Sequence, residues 1–236
     1  MAGLFHLLVV LFAVSAQAAT DTKNAPAWLP ALLEKETITI VVTDSGLGGL
    51  SVVADAAEKF RRSNVFKQVN LVFANALFSD QGGYNSMQSL QQKLEVFSSA
   101  LEGMRDRYQP DVILVACNTL SVLIADTEFA ATSKVPVTGI VEDGVEQIAE
   151  RLRGNPAGRN IMFATQTTVD EGTHASLLLD KGIGDGQIIP QACPQLTLYI
   201  EQGYDSMYTE MLIDAYVDEA LSSLGETAGP LYVSFN

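Results

Sequence analysis

The chain has 236 residues, 47% of them hydrophobic, enough to bury a substantial core as one large domain or two small ones. It carries 28 acidic residues against 14 basic ones, a net charge of −14, and its densest basic cluster is only Lys59-Phe60-Arg61-Arg62, which argues against nucleic acid as a partner. The acidic surplus reads as a solvated surface and says nothing about fold or substrate.

Leu4 to Val14 is apolar but too short to span a bilayer comfortably, and Ala16-Gln17-Ala18 follows it, an A-x-A pattern of the kind signal peptidase cuts. Residues 1–18 are therefore read as a signal peptide, and the mature protein is expected to be exported, periplasmic or secreted. Because no Lys or Arg precedes the apolar run, an uncleaved amino-terminal anchor is the alternative. No cysteine follows the run as a lipid acceptor. No other segment approaches the roughly 20 apolar residues of a membrane span, so no stable membrane insertion is expected after cleavage.

Residues 19–36 are a lead-in segment containing Pro26 and Pro30, with a short helix expected over 31–35. Ile38 to Thr43 is a β-branched run ending in Asp44-Ser45-Gly46-Leu47-Gly48-Gly49-Leu50, which parses as strand, tight glycine turn and helix to about Arg62. Val69 to Ala74 is a second strand, opening into a loop of turn formers through Tyr84. A helix over about 86–107 leads into Val112 to Cys117, read as a fully buried strand, and a helix over about 118–126 leaves it. Strand 135–140, helix 142–153, strand 160–165, helix 169–181, strand 187–192, helix 205–224 and strand 231–235 complete the order. Alternating strands and helices imply an α/β fold with mostly parallel sheets and right-handed crossovers.

Polar clusters follow three strands: Asp44-Ser45, Cys117-Asn118-Thr119 and Thr165 to Thr168. Each falls at a carboxyl end, where a doubly wound sheet places its ligands. The glycine turn lacks the G-x-G-x-x-G spacing and the Lys-Ser/Thr of a P-loop, so its glycines are read as letting backbone pass close to a small ligand. Cys117 stands before a helix start whose N–H groups favour a thiolate. It reads as a nucleophile, a general base, or a small buried hydrophobe. Cys117 and Cys193 would be a disulfide candidate in an oxidising compartment, yet two cysteines in a core-forming chain do not make a disulfide scaffold. Together the clusters suit a small anionic or zwitterionic ligand.

Asp44-Ser45-Gly46-Leu47-Gly48-Gly49-Leu50 resembles the DSGxGGL motif of glutamate racemases and the wider aspartate/glutamate racemase superfamily. Ala116-Cys117-Asn118-Thr119-Leu120-Ser121 resembles their ACNTxS motif. Further along, 135–140 is similar to the family's vPVvGv strand, 164–169 to its ATxGTV motif, and Ala192-Cys193-Pro194 with Glu201 to its acP…vE segment. The resemblance covers about residue 38 to the end.

The resemblance implies two pseudo-symmetric doubly wound domains with the active site between them, and a cofactor-independent, metal-free amino-acid racemase. Glutamate is the first expected substrate and aspartate the next, and the family supplies D-glutamate for cell-wall peptidoglycan. Two cysteines on opposite faces of the substrate would act as base and acid at Cα, a very weak acid that needs a desolvated thiolate and donors for the carbanionic transition state. By motif Cys117 is one of them, with Asp44 to orient or poise it and Ser45, Asn118, Thr119 and Thr168 holding the substrate's polar groups. The resemblance divides the chain into 37–132 plus 205–236 as a first domain, incomplete at its carboxyl end, and 133–204 as a second.

The family's second cysteine lies in a Cys-Thr-His motif after a strand, which would begin where Tyr232-Val233-Ser234-Phe235 gives way to Asn236. The sequence is thus expected to stop just before that acid and to be at most feebly active as a racemase. Cys193 matches the acP segment, whose cysteine is not an acid/base residue, and reads as a buried structural thiol. His174 reads as a surface or packing residue. Asn75 stands where glutamate racemases carry the Asp of GDTxxxPYG. The alternative function is a non-catalytic or one-cysteine exported family member that binds an amino acid or related dicarboxylate. A final strand with no covering helix would expose apolar surface and allow a homodimer.

Overall fold

Among the described residues every strand pairing is parallel, and helical segments lie between successive strands. The computed structural model describes residues 26–63, 65–77, 83–225 and 229–236. The expected signal peptide and the middle of the 75–84 loop lie outside the described residues. The described residues form two units, one within 26–77 and 87–143, the other within 83–86 and 144–236.

The first unit is built on a four-stranded sheet of β1 (Thr37–Asp44), β2 (Gln68–Asn75), β3 (Val112–Val115) and β4 (Val137–Gly139), in the order β2-β1-β3-β4. Its helices are α1 (Leu29–Leu33), α2 (Gly49–Ser63), α3 (Leu90–Tyr108), α4 (Asn118–Ser121) and α5 (Glu128–Thr132). β3 is Val-Ile-Leu-Val and buried throughout, the continuous apolar pattern of a strand covered on both faces. Ile38, Ile40, Val42, Val112 and Leu114 meet Leu29, Leu32, Ala56 and Phe66 in one core.

The amino end of β3 is pinned as well as packed. Asp111 accepts a hydrogen bond from Thr39 N at 2.7 Å and pairs with Lys35, while its own N–H donates to Thr39 O at 2.8 Å. Those bonds accompany the register in which Ile40 lies beside Val112 and Thr43 beside Val115. α3 begins four residues later than expected. Ser89, in extended conformation, caps it by accepting Gln92 N at 3.2 Å, and 83–86 is a separate 3-10 turn.

The second unit holds a three-stranded sheet of β5 (Arg159–Ala164), β6 (Ile188–Ala192) and β7 (Leu231–Phe235), ordered β6-β5-β7. α6 (Val141–Arg153) crosses the boundary between the units, and α7 (Gln166–Glu171), α8 (Thr173–Asp180), α9 (Leu196–Gly203) and α10 (Met207–Leu224) complete the order. The single helix expected over 169–181 is two, because Gly172 takes φ +62° and ends α7.

The expected domain division is corrected at both joints. Residues 205–236 belong with the second unit, since α10 returns the chain to put β7 beside β5, with Ile161 opposite Val233 and Phe163 opposite Phe235. Residues 133–143 stay with the first, where β4 adds to β3. β7 is therefore an edge strand of this sheet among the described residues. Two helices without a sequence expectation also form: α5, five residues capped by Thr127, and α9, entered through Gln195 at φ +66°. No helix of the described residues is long and apolar enough to cross a membrane.

Candidate active site

The carboxyl ends of β1, β2 and β3 meet at one edge of the first sheet. Ala76 N donates to Asp44 O and Ala116 N to Thr43 O, both at 2.8 Å, which sets the residues just beyond the three strands side by side. From β1 the chain turns sharply: Asp44 Oδ1 accepts Gly46 N at 2.8 Å, and Asn75 at the end of β2 donates to Gly46 O at 2.6 Å. Asn75 Oδ1 also accepts Leu77 N at 2.9 Å, so this amide fastens two neighbouring turns. Gly49 is required by contact: a Cβ there would lie 2.9 Å from both Asp44 Cβ and Phe73 Cε2. The DSGLGG turn therefore closes on the Asp44 side chain, so the close approach at Gly49 is to the protein's own Asp44 and Phe73.

Ser45 and Cys117 face each other across this edge, with Ser45 Oγ 3.2 Å from Cys117 Sγ. Cys117 is buried and sits at the N-cap of α4, and its side chain makes no capping bond. Ser121 braces the turn from behind, donating to Val115 O and accepting Ile140 N, each at 3.2 Å. Gly139 makes room for it; a Cβ would fall 2.5 Å from Ser121 Oγ. Asn118 is half-buried and Thr119 buried, both in the first turn after Cys117.

Electrostatics here oppose the expectation of a ready thiolate. Burial pushes the Cys117 thiol above its ordinary range and the Asp44 charge pushes it further, while the Ser45 hydroxyl and the backbone N–H groups of Leu120 and Ser45 pull the other way. α4 is only four residues long, so the helix start beyond Cys117 contributes little field. Asp44 is itself raised by burial against backbone hydrogen bonds from Gly46, Gly49 and Ser45. Cys117 thus rests as a neutral thiol beside a carboxylate that resists its ionisation.

The second unit brings its own polar residues to the carboxyl edge of its sheet. Cys193 N donates to Ala164 O and Asn236 N to Phe163 O, both at 2.8 Å. Thr165 caps α7, accepting Thr168 N at 3.3 Å and meeting Thr168 Oγ1 at 3.1 Å. Thr168 is fully buried in that cap. Cys193 is buried, its Sγ 3.6 Å from Gln191 O, and burial, with Glu219 adding its charge, pushes its thiol up to about 11. Neither cysteine is in a disulfide. His174 is wholly buried, which pushes its imidazole down to about 4 and makes it a packing residue rather than a surface one.

Asn75 and Ser121 support the site in ways the sequence reading did not assign: it noted Asn75 only as standing in place of an Asp, and Ser121 only as part of the ACNTLS stretch. A pocket of about 330 Å³ between α2 and β2, lined by Phe60, Phe66 and Leu71 among others, contains none of the candidate residues.

A strand-end thiol flanked by Asp and Ser on a parallel sheet, with a second parallel-sheet unit following it in sequence, defines an α/β protein of two parallel-sheet units. Among solved structures, the chain is similar to glutamate racemase from Aquifex pyrophilus, with a TM-score of 0.60 and 21% identity, covering 84% of this chain and 79% of that one. It is also similar to the Francisella tularensis glutamate racemase solved with D-glutamate, with a TM-score of 0.60 and 18% identity over 81% of this chain and 65% of the other. Curated relatives agree. Glutamate racemase from Chlorobaculum tepidum is 24% identical over 179 residues, 75% of this chain and 61% of the relative. That from Sulfurihydrogenibium sp. is 25% identical over 187 residues, 78% and 66%. No family model matches. The chain is similar to glutamate racemases in sequence and in fold, and it spans about three fifths to two thirds of the length of the curated relatives it matches.

Proposed function

We propose that the chain acts on the Cα proton of an amino acid, glutamate first and aspartate next, as a cofactor-independent racemase with Cys117 as one acid/base group. The observation that carries this is the 3.2 Å approach of Ser45 Oγ to Cys117 Sγ at neighbouring strand ends. In the forward step the Cys117 proton passes to the neighbouring Asp44 carboxylate, the thiolate so formed takes the Cα proton, and solvent water is the source of the proton that returns to Cα. The carbanion is discharged by a proton delivered from the opposite face of Cα. Asp44, Ser45, Asn118 and Thr119 set the thiol's surroundings and offer hydrogen bonds to the substrate's ammonium and carboxylate groups. A bound ammonium group would supply the positive charge that burial and Asp44 deny the thiolate. Thr168 acts through the cap it shares with Thr165. Cys193, at about 11, is a poor acid at neutral pH and takes no part. Export by the amino-terminal segment and a D-amino acid product for cell-wall peptidoglycan form the cellular setting of this proposal.

One observation favours a second reading, an exported family member that binds an amino acid or dicarboxylate without turnover. Burial and Asp44 hold Cys117 in its neutral form. Exchange at Cα separates the two. Both enantiomers of glutamate and aspartate are incubated in D₂O with the chain and with Cys117→Ser, and read by NMR with chiral analysis. Deuterium entering Cα, lost in Cys117→Ser, is the expected result. Saturable binding with no exchange from any of the four overturns the racemase reading in favour of the binding protein.

A further inference from the structure

Asn75 ends β2 on the strand face it shares with Phe73, two residues earlier, and both side chains reach the glycine turn after β1. Phe73 Cε2 would lie 2.9 Å from a Cβ at Gly49, and Asn75 Nδ2 donates to Gly46 O at 2.6 Å. The far side of the same amide is committed as well, because Asn75 Oδ1 accepts Leu77 N at 2.9 Å. A backbone carbonyl only accepts and a backbone N–H only donates, so position 75 needs one donor and one acceptor on a short planar fork. Asparagine supplies both and is held one way round. An ionised aspartate would set an oxygen against the Gly46 carbonyl, and a leucine of similar size would give neither backbone group a partner.

What the amide holds is residue 45. Ala76 N bonds Asp44 O and Gly46 N bonds Asp44 Oδ1, both at 2.8 Å, so the backbone is fixed before and after Ser45, and the bond from Asn75 fixes it again at the Gly46 carbonyl. The sulfur depends on that placement. Ser45 Oγ lies 3.2 Å from Cys117 Sγ, and of the three hydrogen-bonding groups that favour the thiolate two, the hydroxyl and the N–H, belong to Ser45. Hydrogen bonds weaken steeply with distance and angle, so a small shift of the turn weakens both together. In the strand order β2-β1-β3 the turn after β1 stands between Asn75 and Cys117. We propose that Asn75 is a positioning residue of the Cys117 site: its amide holds the 44–49 turn so that Ser45 presents its hydroxyl and its N–H to the sulfur. This role rests on Cys117 being the reacting group of the function proposed above. It is read from the thiol itself and not from turnover, so absence of Cα exchange and failure of the positioning role are separate outcomes.

The test is the pH profile of iodoacetamide alkylation of the folded full chain, read peptide by peptide by mass spectrometry with Cys193 as internal standard; circular dichroism verifies that the variants fold. Asn75→Ala and, with the side-chain volume kept, Asn75→Leu are each expected to slow Cys117 about tenfold near neutral pH, the fold-change of one pKa unit, and to leave Cys193 unchanged. A purely structural loss has the opposite sign, since loosening this edge opens a buried thiol and speeds it. A cycle with Ser45 gives the second readout. In a Ser45→Ala background, Asn75→Ala is expected to slow Cys117 by no more than about threefold, because the hydroxyl it positions is already gone and only the N–H remains. Unchanged or faster alkylation of Cys117 in Asn75→Ala overturns the proposal. So does a full tenfold loss in both backgrounds, which would mean that Asn75 acts on the sulfur without Ser45. The proposal also fails if Asn75→Leu matches the parent, since bulk alone would then hold the turn.

Discussion

Replacing Ser45 by alanine removes the hydroxyl that meets the Cys117 sulfur at 3.2 Å. That contact opposes burial and the Asp44 charge, so its loss moves the thiol further up. A hydrogen bond to a charged acceptor contributes ~1.5–3 kcal/mol, and a soft sulfur acceptor belongs at the low end. About 1.4 kcal/mol is about one pKa unit, hence roughly tenfold less thiolate at any pH below both values. The assay is the pH profile of iodoacetamide alkylation, read peptide by peptide by mass spectrometry. Cys193 serves as internal standard in the same molecule, because its hydrogen bond and electrostatic causes are Gln191, Ala164 and Glu219 rather than Ser45. Ser45→Ala is expected to slow Cys117 about tenfold near neutral pH and leave Cys193 unchanged. Asp44→Asn, which removes the opposing charge, is expected to speed Cys117. Should Ser45→Ala leave the Cys117 profile in place, or move it down, the hydroxyl does not support the thiolate and the reasoning fails.

His174 is held at about 4 against an ordinary 6.5, so between those values the unfolded chain binds more protons than the folded one. Stability is therefore full above about pH 6.5 and lost as pH falls toward 4. Urea unfolding at pH 7 and pH 4.5 should show a drop of about 2 kcal/mol from this histidine, absent in His174→Leu. Gly49→Ala puts a methyl group 2.9 Å from both Asp44 Cβ and Phe73 Cε2. Its expected cost is ~1–3 kcal/mol, seen as a lower urea midpoint at unchanged m.

The sheet strands were legible because their signal is local. β1, β3 and β5 are runs of Val, Ile, Leu and Met with small polar residues at the carboxyl end, and each forms within one or two residues of its expected place. The assignment of β7 was not local. Leu231 to Phe235 reads as a strand in any sheet, and only its register against Arg159 to Phe163 says which. Helix lengths failed where a single residue decided them, as at Ser89 and Gly172. At the candidate site the pairing of Ser45 with Cys117 followed from two strand ends. The raised thiol did not, since it depends on burial and on the Asp44 charge, which no motif spacing encodes.

The bonds of Asp111 to Thr39 and its ion pair with Lys35 sit at the end of β3 opposite the candidate chemistry. From Asp111 to Cys117 the extended chain covers roughly 20 Å, and alternation turns every second side chain to the other face. The anchored end makes β3 a ruler whose zero mark is Asp111 and whose graduation is one residue. Insertions in α3 or in the turn before Asp111 leave the reading unchanged, while one added residue between Asp111 and Cys117 would carry the sulfur past Ser45 and turn it away. Mutational tolerance in this unit should therefore be stepped rather than graded: wide on one side of Asp111, and near zero for the six positions that follow it.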